Sequence, residues 1–324
     1  MSKPSTYASA VPLTDTLTVS RFCYGAGGLG TVVTGADVDR LIDRYLEAGG
    51  NCLDTAHCYC FWMPEGDGAS EREVGRQVRR VGPDRLLVAT KGGHPGVDGY
   101  PRPDRYMSPE RLRQDIDDSL LRLGLDHIDL FWLHRDDPRE AVETIIDYLN
   151  TECASGRIRA FGASNWRVER VAEANAYARR SDQQGFVAAQ VQWSLAQPNW
   201  HIPDAPDPAM RAVTPGDAQW YRAVHMPVFA YSSTACGFFS GESAPMASAF
   251  DNPMARARRK RANSLAAQLD CTATQVALAW LLAGPTTVVP IIGTVNREHL
   301  SEALEALQIQ LTPQHVKYLV SGER

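Results

Sequence analysis

Short apolar runs alternate along this chain with longer segments in which apolar residues recur every three or four positions. Residues 86–90 and 128–133 are short runs of the kind that form buried strands, whereas Leu41, Ile42 and Tyr45 mark one face of a helix over residues 37–48. The alternation repeats eight times between residues 17 and 307 without a break in composition. Strands that alternate with helices predict parallel strands joined by right-handed crossovers.

The predicted strands cover residues 17–23, 51–54, 86–90, 128–133, 158–162, 186–191, 227–230 and 287–292. Capping boxes are predicted at three helix starts, from Thr34 with Asp37, Ser70 with Glu73, and Thr272 with Gln275. Eight strand-helix units in 324 residues fit a closed (β/α)8 TIM barrel better than an open sheet. We therefore expect an α/β protein in which residues 1–324 form a single barrel domain.

Polar side chains stand at or just past the ends of six successive predicted strands: Asp54, Lys91, His134, Asn165, Gln190 and Tyr231. A barrel gathers the carboxyl ends of all its strands on one face, where the active sites of this fold lie. An open sheet would instead scatter the same residues along an edge. The strand ends thus favour the barrel and indicate an active site on that face.

The chemistry of these residues suits proton transfer to an oxygen. Tyr59 follows Asp54 by five residues, and a phenol with a pKa of ~10 needs help to exchange its proton near neutrality. We expect Lys91 to lower that pKa, Asp54 to hold Lys91 charged, and His134 to orient a substrate oxygen. Such a site matches a carbonyl that receives hydride, which only a cofactor can supply.

Several side chains suit a nicotinamide cofactor. Ser164, Asn165 and Gln190 offer hydroxyl and amide partners for a carboxamide, and Tyr231 offers a ring for stacking. Gly25-Ala-Gly27-Gly-Leu-Gly30 also matches the dinucleotide fingerprint of Rossmann proteins. No helix opens directly after these glycines, so we interpret them as a tight loop, with a Rossmann dehydrogenase as a weaker alternative. Two further alternatives are a lyase that uses Lys91 as a Schiff base and a nucleotide-binding regulatory or scaffold subunit with slow turnover.

Composition narrows the possible partners. A net charge of −5 argues against nucleic acid, and the basic run 256–261 is interpreted as a solvated helix face. No stretch of ~18 apolar residues predicts a membrane span. Seven cysteines without a Cys-x-x-Cys indicate a reduced, cytoplasmic protein. Because no second ligand pair accompanies His57, Cys58 and Cys60, no metal site is predicted.

In order along the chain, six motifs resemble those of the aldo-keto reductase family: Asp54-Thr-Ala-His-Cys-Tyr59, Thr90-Lys91, Leu133-His134-Arg-Asp-Asp137, Gly162-Ala-Ser-Asn165, Gln190-Val-Gln-Trp-Ser194 and Ala230-Tyr-Ser232. The resemblance covers about residues 17 to 307. It implies reversible reduction of an aldehyde or ketone with NADP(H) or NAD(H). Tyr59 would be the general acid, Lys91 and Asp54 its tuning pair, and His134 the carbonyl-orienting group.

The same resemblance implies further cofactor contacts. The residues are Gly25, Ala26 and Gly27 at the nicotinamide, Ser232, Thr234 and Gly237 at the pyrophosphate, Gly293, Thr294, Arg297 and His299 at the 2′-phosphate, and Glu302 at the adenine. Ser232-Ser-Thr234 replaces the usual Ser-Pro-Leu of the family. Many members place a lysine or arginine after strand eight, where this chain has Gly293 and Thr294. The choice between NADP and NAD therefore stays open.

Two segments longer than usual are expected to shape the substrate pocket. Residues 60–69 follow the catalytic tyrosine, and residues 195–216 carry five prolines. Trp62, Trp193 and Trp200 are the candidate aromatic walls. They suit a small carbonyl substrate such as a sugar or keto-sugar, or equally an aromatic or terpenoid ketone. The sequence gives no oligomeric state.

Overall fold

A computed structural model describes residues 10–199, 210–241 and 245–323. A short antiparallel pair, β1 (Val11–Pro12) and β2 (Thr18–Val19), precedes the main sheet. Eight parallel strands then close into a barrel: β3 (Cys23–Gly25), β4 (Cys52–Asp54), β5 (Leu87–Gly92), β6 (Ile128–Leu133), β7 (Ile158–Ser164), β8 (Ala189–Gln192), β9 (Val228–Tyr231) and β10 (Val288–Ile292). Strand β10 pairs with both β9 and β3, which completes the ring. The predicted (β/α)8 barrel is confirmed.

The described helices are α1 (Ala36–Glu47), α2 (Ala69–Val81), α3 (Pro109–Leu123), α4 (Val142–Ala154), α5 (Val168–Arg180), α6 (Pro215–Ala223), α7 (Pro253–Leu269), α8 (Ala273–Ala283), α9 (Arg297–Glu305) and α10 (Pro313–Ser321). Helices such as α1 pack their apolar faces on the outside of the barrel, with Val38, Leu41 and Ile42 buried, whereas α10 packs against α7. Within the described segments, no helix alone has the length and apolarity for a membrane span. Among the described helices, only α7 and α8 taken together reach the length and apolarity of a membrane span, and a bend of 97° separates the two.

The inside of the barrel is filled with side chains. Trp132 and Phe229 are fully buried, and their ring centres lie 5.0 Å apart. Gly162 makes room for the indole, because a Cβ atom at this position would lie 2.3 Å from the Trp132 ring. Val11 and Leu17 of the amino-terminal segment belong to the same buried cluster. The interior is therefore a packed core, as expected of this fold.

The predicted strand over residues 17–23 is wrong, because the structure divides it. Residues 18–19 pair with β1, and only from Cys23 onward does the chain join the barrel. The bend between them is held by Ser20, whose hydroxyl donates to the Phe22 carbonyl at 2.6 Å. The Asn51 side chain accepts from the Ser20 N–H at 2.7 Å. Alternating apolar residues on both sides of this bend concealed it in the sequence.

Two of the three predicted capping boxes are also wrong. Helix α1 begins after Gly35 and α2 after Gly68, both in left-handed φ and neither with a side-chain capping bond. Ser70 instead lies inside α2, where its buried hydroxyl donates to the Ala26 carbonyl. The box formed by Thr272 and Gln275 at the start of α8 is confirmed. Glycine took the cap position where the chain needed φ above zero.

The basic run 256–261 lies within α7, as expected, but much of it is engaged with the protein. Arg258 donates to the Leu195 carbonyl at 2.8 Å, and Arg261 donates to the Leu319 carbonyl at 3.0 Å. These bonds tie α7 to the segment after β8 and to α10. The interpretation as a solvated helix face is corrected for these two arginines, which join separate parts of the fold, whereas Arg256 and Lys260 are exposed.

Candidate active site

The carboxyl end of the barrel brings the four predicted catalytic residues together. Asp54 is the last residue of β4, Lys91 lies one position before the end of β5, and His134 directly follows β6. All three are buried, whereas Tyr59, on the loop after β4, is partly exposed. The side chains of Asp54, Lys91 and His134 thus come from adjacent strands and are buried, and Tyr59 lies nearer to the open carboxyl end of the barrel.

The Lys91 ammonium group is the centre of the arrangement. It donates to Asp54 Oδ2 at 2.6 Å, to the Thr55 carbonyl at 2.7 Å and to the Tyr59 hydroxyl at 3.0 Å. The second carboxylate oxygen of Asp54 accepts from Gln190 Nε2 at 2.9 Å. All three ammonium protons thus have acceptors, which offsets the cost of burying the charge.

The pKa values describe a protonated phenol beside a charged amine. Burial acts to lower the pKa of Lys91, but the Asp54 carboxylate and the Tyr59 hydroxyl raise it above its usual value. Burial raises the pKa of Tyr59, and the positive charge of Lys91 offsets this only in part. Lys91 therefore acts on the Tyr59 pKa in the expected direction, but the effect of burial is larger, so the net shift in the protein alone is upward. A charged Lys91 also opposes a Schiff-base role, which needs the neutral amine.

His134 is held close to Tyr59 in the neutral form. Its backbone N–H donates to the Gly92 carbonyl at 2.7 Å, and its ring centre lies 6.1 Å from that of Tyr59. Burial, followed by the charge of Arg135, sets the pKa of His134 well below its usual value. A neutral imidazole can donate a hydrogen bond to an oxygen without carrying charge into the site.

The residues expected at the nicotinamide form a second group around Asn165. This residue has a left-handed φ of 63° directly after β7. Its amide oxygen accepts from the Tyr231 hydroxyl at 2.8 Å and from the Arg211 N–H at 3.2 Å, and its amide nitrogen donates to Ser164 Oγ at 3.0 Å. Three predicted residues, Ser164, Asn165 and Tyr231, are thus joined directly.

The donors and acceptors fit a carboxamide. Because Gln190 Nε2 donates to Asp54, its amide oxygen is oriented as an acceptor, and no donor to it is found among the described residues. The Ser164 hydroxyl accepts from Asn165 and keeps its own proton to donate. Gly27 leaves open space beside the Tyr59 ring, because a Cβ atom at Gly27 would only touch that ring, at 3.7 Å. Neighbouring Ala26 donates its N–H to the Asp54 carbonyl at 2.8 Å, and Gly25 pairs with Asp54 in register.

The segment after β9 has unusual backbone geometry. Ser232, Ala235 and Cys236 all have positive φ, between 48° and 52°, and Gly237 has a φ of 83°. Left-handed non-glycine residues are strained, and clusters of them are frequent at ligand sites. Thr234 lies within this cluster, so the predicted pyrophosphate residues fall on one tightly turned segment.

The residues expected at the far end of the dinucleotide are separated from one another. Thr294 stays near the barrel mouth, where its carbonyl accepts from the Tyr24 hydroxyl at 2.7 Å, and Gly293 follows β10 directly. Arg297, His299 and Glu302 line a groove of about 830 Å³ beside α8 and α9. The described lining of this groove includes none of the four catalytic candidates. Glu302 accepts from the Thr272 hydroxyl at 2.5 Å and is already engaged there.

The predicted substrate residues have different outcomes. Trp62 is 57% exposed, and its ring lies 6.5 Å from Tyr59 and 5.1 Å from Phe61, measured between ring centres. Trp193 instead packs against the apolar cluster of Ala230, Leu281 and Val288. Trp200 lies outside the described residues. Of these candidates, Trp62 is the one that lies beside Tyr59.

Sequence reasoning missed two neighbours of His134. The Cys58 sulfur lies 3.5 Å from His134 Nδ1, and the His94 ring centre lies 4.8 Å from that of His134. Burial raises the pKa of Cys58 to about 12, so it remains a thiol. His94 comes two residues after β5. The other residues were predicted because they lie at or just past a strand end. A search that extended two positions past each strand would also have included His94.

Comparison with known proteins adds the following. A profile described as the Aldo/keto reductase family matches residues 21–323. An uncharacterized oxidoreductase of Bacillus subtilis is 29% identical over 321 residues, covering 94% of this chain and 92% of the relative. A 6-dehydroglucose reductase of Novosphingobium aromaticivorans is 30% identical over 297 residues, with 90% and 88% covered. An aryl-alcohol dehydrogenase (NADP+) of Phanerodontia chrysosporium is 28% identical over 308 residues, with 90% and 77% covered.

Proposed function

The chain belongs to the aldo/keto reductase family, and on that premise we propose that it reduces an aldehyde or ketone to an alcohol with Tyr59 as the general acid. The observation that carries the proposal is the hydrogen-bonded series from Gln190 through Asp54 and Lys91 to Tyr59. A series of this kind, buried except at Tyr59, at the carboxyl end of a barrel matches the task of giving up one proton to an oxygen.

The reaction proceeds at the carbonyl oxygen. The oxygen accepts hydrogen bonds from the Tyr59 hydroxyl and from the neutral His134 ring, which hold and polarise it. A bound nicotinamide dinucleotide supplies the hydride to the carbonyl carbon. As negative charge develops on the oxygen, Tyr59 passes its proton to it and becomes a phenolate. Lys91, 3.0 Å away, stabilises that phenolate, and Asp54 keeps Lys91 in place.

We propose that Ser164, Asn165 and Gln190 hold the carboxamide, that Gly25 to Gly27 border the ring, and that Tyr231 lies against it. The segment containing Ser232, Thr234 and Gly237 takes the pyrophosphate. Gly293, Thr294, Arg297, His299 and Glu302 take the adenosine end. The support is the chemistry of the donors and acceptors on the barrel face, together with the position of Arg297, His299 and Glu302 on one groove.

The proposed substrate is a cyclic or polar carbonyl compound, such as a keto-sugar. Exposed Trp62 beside Tyr59 offers a flat wall for a ring. Among the relatives, one is named a 6-dehydroglucose reductase and another an aryl-alcohol dehydrogenase, and both names refer to ring compounds. Oxidised sugars and aromatic aldehydes are accordingly the first two sets of compounds to assay.

The test begins with nucleotide binding. Purified protein is titrated with NADPH and with NADH while tryptophan fluorescence is followed, and reduction of the two compound sets is then measured with the tighter nucleotide. Tyr59→Phe should bind the nucleotide as the wild type does and reduce carbonyls ~10²–10⁴ times more slowly. Failure of both nucleotides to bind would refute the proposal. A single rapid turnover followed by very slow release would instead favour a nucleotide-sensing subunit.

A further inference from the structure

Three side chains from separate loops meet beside the candidate active site. Cys58 follows β4, His94 follows β5 and His134 follows β6. Each offers one ligand atom, and these atoms all lie within 4.8 Å of one another. We propose that this thiol–imidazole cluster (Cys58, His94 and His134) binds a thiophilic divalent cation of the zinc type.

The separation of two of the three ligand atoms already suits such an ion. Zinc lies about 2.3 Å from a cysteine sulfur and about 2.0 Å from a histidine nitrogen, so two such ligands in a tetrahedral arrangement are about 3.5 Å apart. The Cys58 sulfur and His134 Nδ1 are 3.5 Å apart in the structure. The rings of His94 and His134 are inclined at 70°, so one edge of each can converge on the same point. Only small side-chain movements would complete the site.

The surroundings of the cluster resemble the supporting shell of a metal site. His94 Nδ1 lies 2.7 Å from the Pro95 carbonyl, and metal-bound histidines commonly donate their second ring nitrogen to such a group. The His134 backbone is fixed by its bond to the Gly92 carbonyl at 2.7 Å. Since all three ligands lie within a few residues of barrel strands, the scaffold holds them with little freedom.

The neighbouring charges affect how tightly the cluster would bind an ion. Lys91 and Arg135 lie close to His134 and oppose a dication. Two features reduce this repulsion. The charge of Lys91 is balanced by its ion pair with Asp54. The Cys58 thiol would lose its proton to solvent on binding, and the resulting thiolate cancels one positive charge of the ion. Three protein ligands leave a fourth position open, unlike the closed four-ligand sites that stabilise folds. We therefore expect reversible binding rather than a permanent structural ion.

Binding of an ion here would bear on catalysis because His134 is one of the ligands. This consequence rests on the proposed carbonyl reduction, but the binding itself does not. An ion in the cluster would hold the His134 ring in one orientation and would line the substrate pocket. Carbonyl substrate should then bind less well, so KM rises while nucleotide binding is unchanged.

Cobalt(II) is the probe, because it takes zinc sites and its absorption reveals thiolate and tetrahedral coordination. Metal-depleted protein is titrated with cobalt chloride in the absence of nucleotide and carbonyl. The expected result is one equivalent bound, with a sulfur-to-cobalt charge-transfer band that zinc chloride abolishes. Cys58→Ser should remove that band, and His94→Gln should weaken cobalt binding at least tenfold. Cys271→Ser, which changes a partly exposed thiol elsewhere, should behave as the wild type.

The outcomes are distinct from those of the nucleotide test. Absence of the band in wild-type protein, or its persistence in Cys58→Ser with unchanged thermal unfolding, would overturn the site. The Cys58–His134 contact would then be only a thiol-to-nitrogen hydrogen bond. If the protein reduces a carbonyl, zinc should raise the wild-type KM at least threefold and leave that of His94→Gln within twofold; equal inhibition of both would also overturn the proposal.

Discussion

The Lys91 ammonium group donates a 3.0 Å hydrogen bond to the Tyr59 hydroxyl and lies 4.5 Å from the centre of the same ring. The two residues come from different strand ends and meet only because β4 and β5 are neighbours in the barrel. Burial outweighs this charge in the resting protein, so Tyr59 stays protonated. The attraction between the pair becomes strong only when the phenolate forms.

Lys91 should therefore act through Tyr59. We expect Tyr59→Phe and Lys91→Met each to lower kcat/KM for carbonyl reduction by ~10²–10⁴, the usual range for a positioned general acid. The double variant should lose no more than Tyr59→Phe alone, because the residues work as a unit. Lys260→Met, on an exposed face of α7, is the matched control. Additive losses in the double variant would contradict this relationship.

The pH dependence follows from the directions of two pKa shifts. Reduction needs protonated Tyr59, whose raised pKa keeps it protonated up to and beyond its ordinary pKa of ~10. It also needs neutral His134, whose lowered pKa keeps it neutral below the ordinary value of ~6.5. The kcat/KM for reduction, which reports the groups of the enzyme before substrate binds, should be flat between about pH 6.5 and 10. A decline centred within that interval would show that one of these groups titrates there.

The same shift in His134 affects stability. Its pKa is lowered on folding, so its contribution is present above the unfolded pKa of ~6.5 and is lost as pH falls through and below that value. His134→Gln, which removes the titrating group, should flatten the fall in the urea midpoint between about pH 6.5 and 5. An unchanged slope would mean that other groups account for the acid sensitivity.

Trp62 should affect substrate binding more than the chemical step. Its exposed ring stands 6.5 Å from Tyr59, and an aromatic contact with a ring substrate is worth ~0.5–1.5 kcal/mol. Trp62→Ala should raise KM by roughly two- to tenfold with kcat nearly unchanged. Leu121→Ala removes an even more exposed apolar side chain, from α3, and serves as control. An unchanged KM would exclude Trp62 from the pocket.

Gly75 tests the packing of the helices that surround the barrel. A Cβ atom at this position in α2 would lie 1.8 Å from the Leu123 carbonyl oxygen at the end of α3. Gly75→Ala should cost at least ~1–3 kcal/mol, measured from the midpoint of urea unfolding. Gly216→Ala, whose Cβ would only touch Thr214 at 3.7 Å, should be neutral or gain up to ~1 kcal/mol. Equal midpoints would indicate that α2 and α3 separate easily.

The barrel and the candidate catalytic residues could both be predicted from the sequence, because both rest on local patterns. Apolar runs marked the strands, and Asp54, Lys91 and His134 stood at their ends, where the topology alone brings them together. The exact starts and ends of strands and helices were harder to predict. The bend at Ser20 and the glycine caps before α1 and α2 depend on hydrogen bonds and φ angles that residue type does not determine.

The sign of the tyrosine pKa shift could not be predicted, because burial is a property of the whole fold. The charge of Lys91 was visible in the sequence, but the extent of desolvation around Tyr59 was not. The cluster of Cys58, His94 and His134 escaped notice for a related reason. Its members come from three different loops, so their spacing along the chain carries no metal-binding signature.

The indole of Trp132, which occupies the space left by Gly162, also has a kinetic consequence. Within the part of the chain that the structure describes, this ring and Phe229 fill the inside of the barrel, so we expect reactants to reach the site from the carboxyl face. Both reactants would then enter by this face, and a carbonyl seated over Tyr59 would obstruct a nicotinamide ring still to enter. The nucleotide should accordingly add first and leave last, so that its departure sets the upper limit on turnover.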